Sequence, residues 1–292
     1  MSIFEGSAVA LVTPFSESGV NYTALASLLE FQIENGTDAI LVCGTTGEPA
    51  TMAVAERNKV IEFAVKQVNG RVPVIAGAGG NNTAVSLEAS LFAEGAGADA
   101  LLIVTPYYNK CSQEGLLRHY FAIADRVKTP IIVYNVPSRT GVNISPTTLE
   151  RLAEHPNIQA VKEASGNISQ IAKIASFVRE DFDLYSGNDD QVVPLLSLGG
   201  KGVISVAANV IPAQMHDMCR AYLDGNVSVS AEIQLKYLKL INALFMDINP
   251  IPVKTALNLM GFDAGLLRLP LCSMDEAHIA ELEATLAHYG LV

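Results

Sequence analysis

Two reactive side chains stand at the ends of successive apolar runs in the sequence. Lys162 lies near the end of residues 158–163, and Tyr134 lies where the apolar residues 130–135 stop. If the two runs form neighbouring parallel strands, the amine and the phenol emerge at the same rim of the sheet. A desolvated lysine amine is a nucleophile for ketones and aldehydes. The pair therefore indicates carbonyl chemistry through a Schiff base.

Each of these residues also has an ordinary structural interpretation. Lys162 can extend into solvent or pair with Glu163, and Tyr134 can be a core aromatic whose hydroxyl bonds to the backbone. When Lys162 is considered with Tyr134 and the loops described below, its interpretation as a nucleophile is favoured. It requires a neutral amine, and burial lowers the pKa of lysine below its free value of ~10.4. The phenol of Tyr134 can then carry protons while a carbinolamine loses water.

Eight apolar runs of strand length form the framework that must position these groups. They span residues 8–12, 39–43, 72–76, 100–104, 131–134, 158–162, 182–185 and 202–206. Most are continuous rather than alternating, which is typical of parallel strands covered on both faces. Segments with helical periodicity lie between them, such as the one from Leu25 to Ile33, which Gly36 is expected to end. The order predicts an α/β fold, a (β/α)8 TIM barrel. An open doubly wound sheet stays possible, because a sequence does not show closure.

No strand-like run follows residue 224. Residues 232–245, 253–260 and 275–289 have helical patterns. We therefore predict a catalytic barrel over residues 1–224 and a C-terminal three-helix domain over residues 225–292. Chemistry in such barrels lies at the carboxyl ends of the strands. Those ends are where this sequence turns polar and rich in glycine, at residues 44–48, 105–109, 134–141 and 186–189.

Composition narrows the partners and the setting. The net charge of −11 argues against nucleic acid or an anionic membrane as a partner. No apolar stretch is long enough to span a bilayer, and the first residues lack the basic start and apolar core of a signal peptide. The four cysteines are scattered and the five histidines form no cluster with ligand spacing. We therefore assign no metal, and we expect free thiols in a reducing cytoplasm.

Two loops supply groups that suit carboxylates. The segment GTTGE at residues 44–48 offers the hydroxyls of Thr45 and Thr46, with backbone N–H groups between the glycines. It lacks the lysine of a nucleotide-binding P-loop. A plain strand-to-helix turn explains this segment about as well when it is taken alone. Arg139 lies in the loop after the fifth run, where its forked guanidinium can hold a substrate carboxylate. A surface arginine is the default interpretation there.

These residues together resemble the dihydrodipicolinate synthase family of class I aldolases, in the superfamily that includes N-acetylneuraminate lyase. The resemblance covers essentially the whole chain. It is carried by five blocks in the same order, at residues 44–48, 104–109, 134–141, 161–164 and 249–254. The loop at 138–141 and the block at 249–254 favour the synthase over sialate and keto-sugar-acid lyases, which generally lack the arginine.

The resemblance implies a lyase of the diaminopimelate and lysine biosynthesis pathway. It would condense pyruvate with L-aspartate 4-semialdehyde and need no dissociable cofactor. Lys162 would form the imine with pyruvate. Tyr134, Thr45 and Tyr108 would form the proton relay. Tyr108 would reach the site from the neighbouring subunit of a tight dimer.

The same resemblance implies a set of substrate-binding residues. Thr46 would hold the pyruvate carboxylate and Arg139 would receive the aldehyde substrate at the mouth of the site. Gly187 and the backbone of Ile204 would line the pocket. The family is usually a homotetramer, a dimer of tight dimers, so we expect this assembly here.

One departure from the family pattern concerns regulation. Feedback-sensitive members bind lysine at the tight-dimer interface through histidines and a glutamate. The corresponding positions here carry Val54, Arg57 and Val85, and Pro49 replaces a serine. Loss of the glutamate removes a partner for the ammonium group of the effector, and Arg57 adds a like charge. We therefore expect weak or absent inhibition by lysine.

Two other functions stay open at this point. One keeps the pyruvate imine but changes the aldehyde, as in a sialate or keto-sugar-acid lyase. The other is a catalytically silent paralogue that acts as a binding or scaffold protein. The presence of all four predicted catalytic side chains argues against the silent paralogue.

Overall fold

Eight parallel strands close into a barrel in the computed structural model, which describes residues 2–292. The strands of the chain are β1 (Gly6–Ala10), β2 (Phe15–Ser16), β3 (Gly19–Val20), β4 (Ala39–Val42), β5 (Val74–Gly77), β6 (Ala100–Val104), β7 (Ile131–Asn135), β8 (Ile158–Glu163), β9 (Asp183–Ser186) and β10 (Gly202–Ser205). β2 and β3 form a separate hairpin, and β10 pairs with β1 to close the barrel. The predicted barrel is confirmed, and the open sheet is wrong.

Residues 2–292 contain twelve α-helices. They are α1 (Tyr22–Glu34), α2 (Val54–Val68), α3 (Thr83–Gly95), α4 (Gln113–Ala124), α5 (Pro137–Thr140), α6 (Pro146–Ala153), α7 (Ile168–Ala175), α8 (Val192–Leu196), α9 (Pro212–Leu223), α10 (Val227–Ala243), α11 (Ile251–Leu259) and α12 (Glu276–His288). Longer helices follow most barrel strands and cover the outside of the barrel. This double cover explains why the strands are almost wholly apolar.

Local sequence signals set several helix ends. The Ser145 side chain accepts a hydrogen bond from the backbone N–H of Thr148, and Pro146 occupies the first position of α6. Both features are favoured at a helix start. Gly36 follows α1 with φ of 81°, a conformation that suits glycine. The end of α1 is therefore where the sequence predicts it.

Aromatic packing plugs the amino-terminal end of the barrel. Phe4 stacks on Tyr185 with ring centroids 4.3 Å apart. The Tyr185 hydroxyl donates to the carbonyl oxygen of Phe4 at 2.8 Å. Buried side chains such as Ile75 and Ile132 fill the interior. Since this end is plugged, substrates are expected to approach from the carboxyl-terminal end, as in other barrels of this type.

The chain beyond α9 is helical, as its pattern predicts. α10, α11 and α12 match the three expected helices, and α10 begins at Val227 rather than at residue 232. The predicted boundary at residue 224 lies in the turn between α9 and α10, and these two helices pack together. The division into two domains stays a prediction. No helix within residues 2–292 has the length and apolar character needed to cross a membrane.

Candidate active site

The ends of β7 and β8 bring the predicted amine and phenol together. Tyr134 and Lys162 are partners in the register of the two strands. The Nζ atom of Lys162 lies 4.5 Å from the centroid of the Tyr134 ring. Lys162 is only 5% exposed. The structure therefore holds a buried amine against the ring of a tyrosine, at the carboxyl-terminal rim.

Burial controls the charge of both groups. It lowers the pKa of the Lys162 amine from 10.5 to about 8, against the attraction of Asp189 and with a smaller contribution from Arg139 in the same direction. Burial raises the pKa of Tyr134, while Arg139 and the Thr45 hydroxyl oppose the increase. At neutral pH the phenol keeps its proton. A much larger fraction of the amine is neutral than for a solvated lysine, so it can attack a carbonyl.

A cavity of about 380 Å³ lies against Tyr134 at this end of the barrel. Thr45, Tyr134 and Arg139 are in its wall, together with apolar residues such as Leu102 and Val104. Lys162 lies next to Tyr134 without being part of the wall itself. A cavity of this size with a few convergent polar groups suits a small organic substrate.

Gly187 lies directly beside the side chain of Lys162. Its backbone N–H donates to the carbonyl oxygen of Glu163 at 2.8 Å, which continues the strand pairing past β9. A Cβ atom at this position would lie 2.6 Å from the Cβ of Ala164 and 3.1 Å from the Cε of Lys162. Glycine therefore leaves room for the Lys162 side chain. Ile204 is buried inside the barrel on β10, and neither residue is in the cavity wall.

The GTTGE loop after β4 is fixed from two sides. The hydroxyl oxygen of Thr46 accepts a hydrogen bond from Nδ2 of Asn249 at 3.0 Å. The Thr13 hydroxyl donates to the carbonyl oxygen of Gly47 at 2.7 Å. Thr45 is half-buried and faces the cavity, whereas Thr46 is buried. The loop therefore presents one hydroxyl to the cavity and holds the other in a defined position.

A buried ion pair anchors the end of the same loop. Glu48 has a left-handed φ of 54°, and its carboxylate accepts a hydrogen bond from Nζ of Lys254 at 2.9 Å. Both side chains are 1% exposed. Lys254 Nζ also donates to the carbonyl oxygens of Thr13 and Leu266. The pair joins the loop after β4 to helix α11.

Sequence reasoning did not predict this role for Asn249, Lys254 or Glu48. They were included only as members of the blocks at residues 44–48 and 249–254, which carry the family resemblance. One local signal was available. Ile251, Lys254 and Leu257 are spaced for one face of a helix, so a lysine stands on an otherwise apolar stripe.

Arg139 lies on the short helix α5, which follows β7. Its guanidinium donates from Nη2 to the backbone carbonyl oxygen of Asn249 at 3.2 Å. Within residues 2–292 this is the one hydrogen bond found for the guanidinium, and the residue is in the cavity wall. Arg139 can therefore bind an anionic group with donors that the protein leaves free.

Tyr108 is placed differently from the other predicted residues. It is 91% exposed and has φ of 69°. It is not in the wall of the cavity, whereas its neighbour Tyr107 is. Within a single chain the structure therefore brings Lys162, Tyr134 and Thr45 together but leaves Tyr108 projecting outward.

The histidines, cysteines and acidic residues lie apart in the described part of the chain. Residues 2–292 contain no group of three or more histidine, cysteine or acidic side chains arranged to hold a metal ion. All four cysteines are free, and burial raises the pKa of the Cys43 thiol to about 12. A thiol with this pKa is a poor nucleophile. Cys43 is therefore best explained as a core residue.

Comparison with known proteins decides the family. The model of the "Dihydrodipicolinate synthetase family" matches residues 3–289. The chain belongs to this family. Among curated relatives, "4-hydroxy-tetrahydrodipicolinate synthase 1" of Clostridium acetobutylicum is 57% identical over 292 residues and covers 100% of both chains. The 4-hydroxy-tetrahydrodipicolinate synthase of Clostridium perfringens strain 13 is 57% identical over 290 residues, 99% of this chain and all of its own.

Solved structures agree with this assignment. The dihydrodipicolinate synthase from Thermotoga maritima superposes with a TM-score of 0.98 at 45% identity and covers 100% of both chains. The enzyme from Aquifex aeolicus superposes with a TM-score of 0.97 at 47% identity and covers 99% of both. The resemblance read from five short blocks of sequence is therefore confirmed over the whole barrel and the C-terminal helices.

Proposed function

We propose that this protein is a 4-hydroxy-tetrahydrodipicolinate synthase, which condenses pyruvate with L-aspartate 4-semialdehyde through a Schiff base on Lys162. The observation that carries the proposal is the buried Lys162 amine, with its pKa lowered to about 8, beside the Tyr134 ring. The curated relatives that match all or nearly all of this chain carry this enzyme name. An amine of this kind reacts with the carbonyl group of a keto acid.

The proposed reaction begins when the neutral Lys162 amine adds to the keto carbon of pyruvate. The carbinolamine loses water to give an imine, and loss of a methyl proton gives an enamine. The enamine carbon then attacks the aldehyde, which forms the new carbon–carbon bond. Finally, the amino group of the aldehyde substrate attacks the imine carbon, closes the ring and releases Lys162. One water leaves overall, and the lysine returns unchanged.

The surrounding groups have proposed roles that the family resemblance implies. Tyr134, with its high pKa, stays protonated and can give and take the protons of carbinolamine dehydration. Thr45 lies beside it in the cavity wall and would extend the relay. Thr46 would hold the pyruvate carboxylate, and Arg139 would bind the carboxylate of the aldehyde substrate. Holding two small anions beside one amine lowers the entropic part of the barrier.

Trapping the imine tests the proposal directly. Borohydride added in the presence of pyruvate should convert Lys162 into a stable secondary amine that carries the mass of one reduced pyruvate. Peptide mass spectrometry should find this adduct on Lys162 and leave Lys254 unmodified, since Lys254 is buried and paired with Glu48. The treated enzyme should no longer consume L-aspartate 4-semialdehyde.

Two results would overturn this assignment. An adduct on any lysine other than Lys162 would remove the proposed nucleophile. Faster turnover of sugar-derived aldehydes than of L-aspartate 4-semialdehyde would place the protein with the sialate or keto-sugar-acid lyases instead. An untreated sample and a sample treated without pyruvate serve as controls for non-specific reduction.

We also infer that a tight dimer completes the site with Tyr108 of the second subunit. The inference is supported by the exposure of Tyr108 and by its absence from the cavity wall of its own chain. Tyr108 also has φ of 69°, a backbone conformation that is uncommon for a bulky residue and that clusters at functional sites. A homotetramer built from two such dimers is the assembly that we propose, and one related structure is described as a monomeric variant.

Mixed dimers of two inactive variants test this inference. Tyr134→Phe and Tyr108→Phe should each lower turnover by about 10²- to 10⁴-fold, the usual contribution of an acid–base group. If Tyr108 acts across the interface, a mixed dimer contains one site with both hydroxyls. Mixing the variants and allowing subunits to exchange should therefore restore up to half of the wild-type activity per mixed dimer. If activity does not rise although exchange is shown by mass, Tyr108 does not act in trans.

A further inference from the structure

Asn249 contacts two residues with proposed roles in substrate binding, although it lies between α10 and α11, far along the chain from both. Its side-chain Nδ2 donates to the hydroxyl oxygen of Thr46, a residue 203 positions away. Its backbone carbonyl oxygen accepts from Arg139. Asn249 itself is 5% exposed and in the cavity wall. The buried Asn249 therefore contacts both the GTTGE loop and Arg139 at the mouth of the site.

The direction of the hydrogen bond from Asn249 matters for binding. A threonine hydroxyl has one proton to donate and two lone pairs that accept. When Asn249 Nδ2 fills a lone pair of Thr46 Oγ1, the proton of Thr46 is left for another acceptor. Within residues 2–292, Asn249 is the one hydrogen-bond partner found for this hydroxyl. A carboxylate only accepts hydrogen bonds, so it suits this free proton.

The surroundings make this orientation rigid. Thr46 is 2% exposed. The residue after it, Gly47, is held by the Thr13 hydroxyl, and Glu48 is held by the buried ammonium of Lys254. The loop has little freedom to turn the Thr46 hydroxyl by moving its backbone. The orientation of the hydroxyl thus depends on the side chain that donates to it.

We propose that Asn249 is a positioning residue that turns the Thr46 hydroxyl proton toward the carboxylate of the bound keto acid and so sets the affinity for pyruvate. This inference rests on the proposed function, because it needs pyruvate in the site. The segment between α10 and α11 then contributes to substrate affinity, although it is separate from the strands that carry the chemistry. Lys162 and Tyr134 keep their chemical roles.

The concentration of pyruvate that gives half-maximal borohydride trapping on Lys162 measures this affinity without the second substrate. Asn249→Ala should raise that concentration by about tenfold, since one hydrogen bond to a charged group contributes roughly this much. Asn249→Asp has nearly the same shape, yet its carboxylate would accept the Thr46 proton. It should therefore raise the half-maximal concentration more than the alanine variant does. A purely structural role for Asn249 predicts the opposite order.

A double-mutant cycle with Thr46→Val separates orientation from packing. If Asn249 acts through the Thr46 hydroxyl, Asn249→Ala should have little further effect once that hydroxyl is gone. Asn242→Ala, on an exposed position of α10, is the matched control and should leave trapping unchanged. The nearly isosteric Asn249→Asp also covers the case in which the alanine variant does not fold.

The possible outcomes are distinct. Equal half-maximal concentrations for wild type and both Asn249 variants would overturn this inference and leave the proposed function intact. Additive effects of Asn249→Ala and Thr46→Val would also overturn it. Absence of any pyruvate adduct on wild-type Lys162 would instead refute the proposed function.

Discussion

Replacing Lys162 with methionine should abolish turnover and, at neutral pH, make the folded protein more stable. Methionine keeps the length of the side chain and packs well in an apolar site. Without the amine no imine forms, so activity should fall by at least about 10⁴-fold, as expected when a covalent nucleophile is lost. Turnover of L-aspartate 4-semialdehyde with pyruvate measures the loss, and borohydride trapping should find no adduct.

The stability gain follows from the pKa of the buried amine. Folding lowers the pKa of Lys162 from 10.5 to about 8, so the unfolded chain binds more protons between these values. The free energy of unfolding of the wild type therefore rises with pH across this window. Below about pH 8 the full cost of burying the amine is present, roughly 3 kcal/mol for a shift of this size. Lys162→Met removes that cost.

Urea denaturation of both proteins checks this expectation. The variant should be more stable near neutral pH, and its advantage should shrink as the pH rises from 8 toward 10.5. The exposed Lys201, which pairs with Glu5 at the surface, provides the matched control. Lys201→Met should change stability by less than about 1 kcal/mol. If Lys162→Met is less stable than wild type at neutral pH, burial of the Lys162 amine does not lower the stability of the wild type.

Sequence alone predicts the barrel because parallel strands covered on both faces must be apolar throughout. This rule located all eight strands, but it misplaced some ends. The first run was expected at residues 8–12, whereas β1 is Gly6–Ala10. Leu11 and Val12 remain buried beyond the strand. Burial and strand pairing therefore do not stop at the same residue, and an apolar pattern reports only burial.

In the candidate site, too, the sequence predicts some contacts and not others. Tyr134 and Lys162 end consecutive strands of the sequence, and consecutive strands of a barrel are neighbours. Their contact is therefore predictable from chain order. Asn249 reaches Thr46 across 203 residues through a loop between helices. Nothing local in the sequence indicates such a contact, because loop geometry decides it. The outward position of Tyr108 likewise depends on a backbone conformation that its sequence neighbours do not specify.

Breaking the buried Glu48–Lys254 ion pair at the end of the GTTGE loop should have the largest effect on the free energy of unfolding. Lys254→Met leaves the Glu48 carboxylate buried without its ammonium partner, and this should cost about 3–5 kcal/mol of unfolding free energy. The second change Glu48→Gln removes the unpaired charge. Its amide oxygen can still accept from the backbone N–H of Arg268, which now donates to the Glu48 carboxylate at 3.2 Å. The double variant Lys254→Met/Glu48→Gln should therefore recover most of the loss.

Urea denaturation of the two single variants and the double variant closes this thermodynamic cycle. A coupling energy well above 1 kcal/mol, the usual upper range for exposed pairs, would show that the two charges depend on each other. The exposed Lys201–Glu5 pair gives the reference cycle, with side chains 36% and 44% exposed against 1% for both members of the buried pair. If Lys254→Met costs no more than Lys201→Met, the loop is not anchored by this pair. A large coupling would instead show that Lys254 of α11 stabilises the loop that carries Thr45 and Thr46.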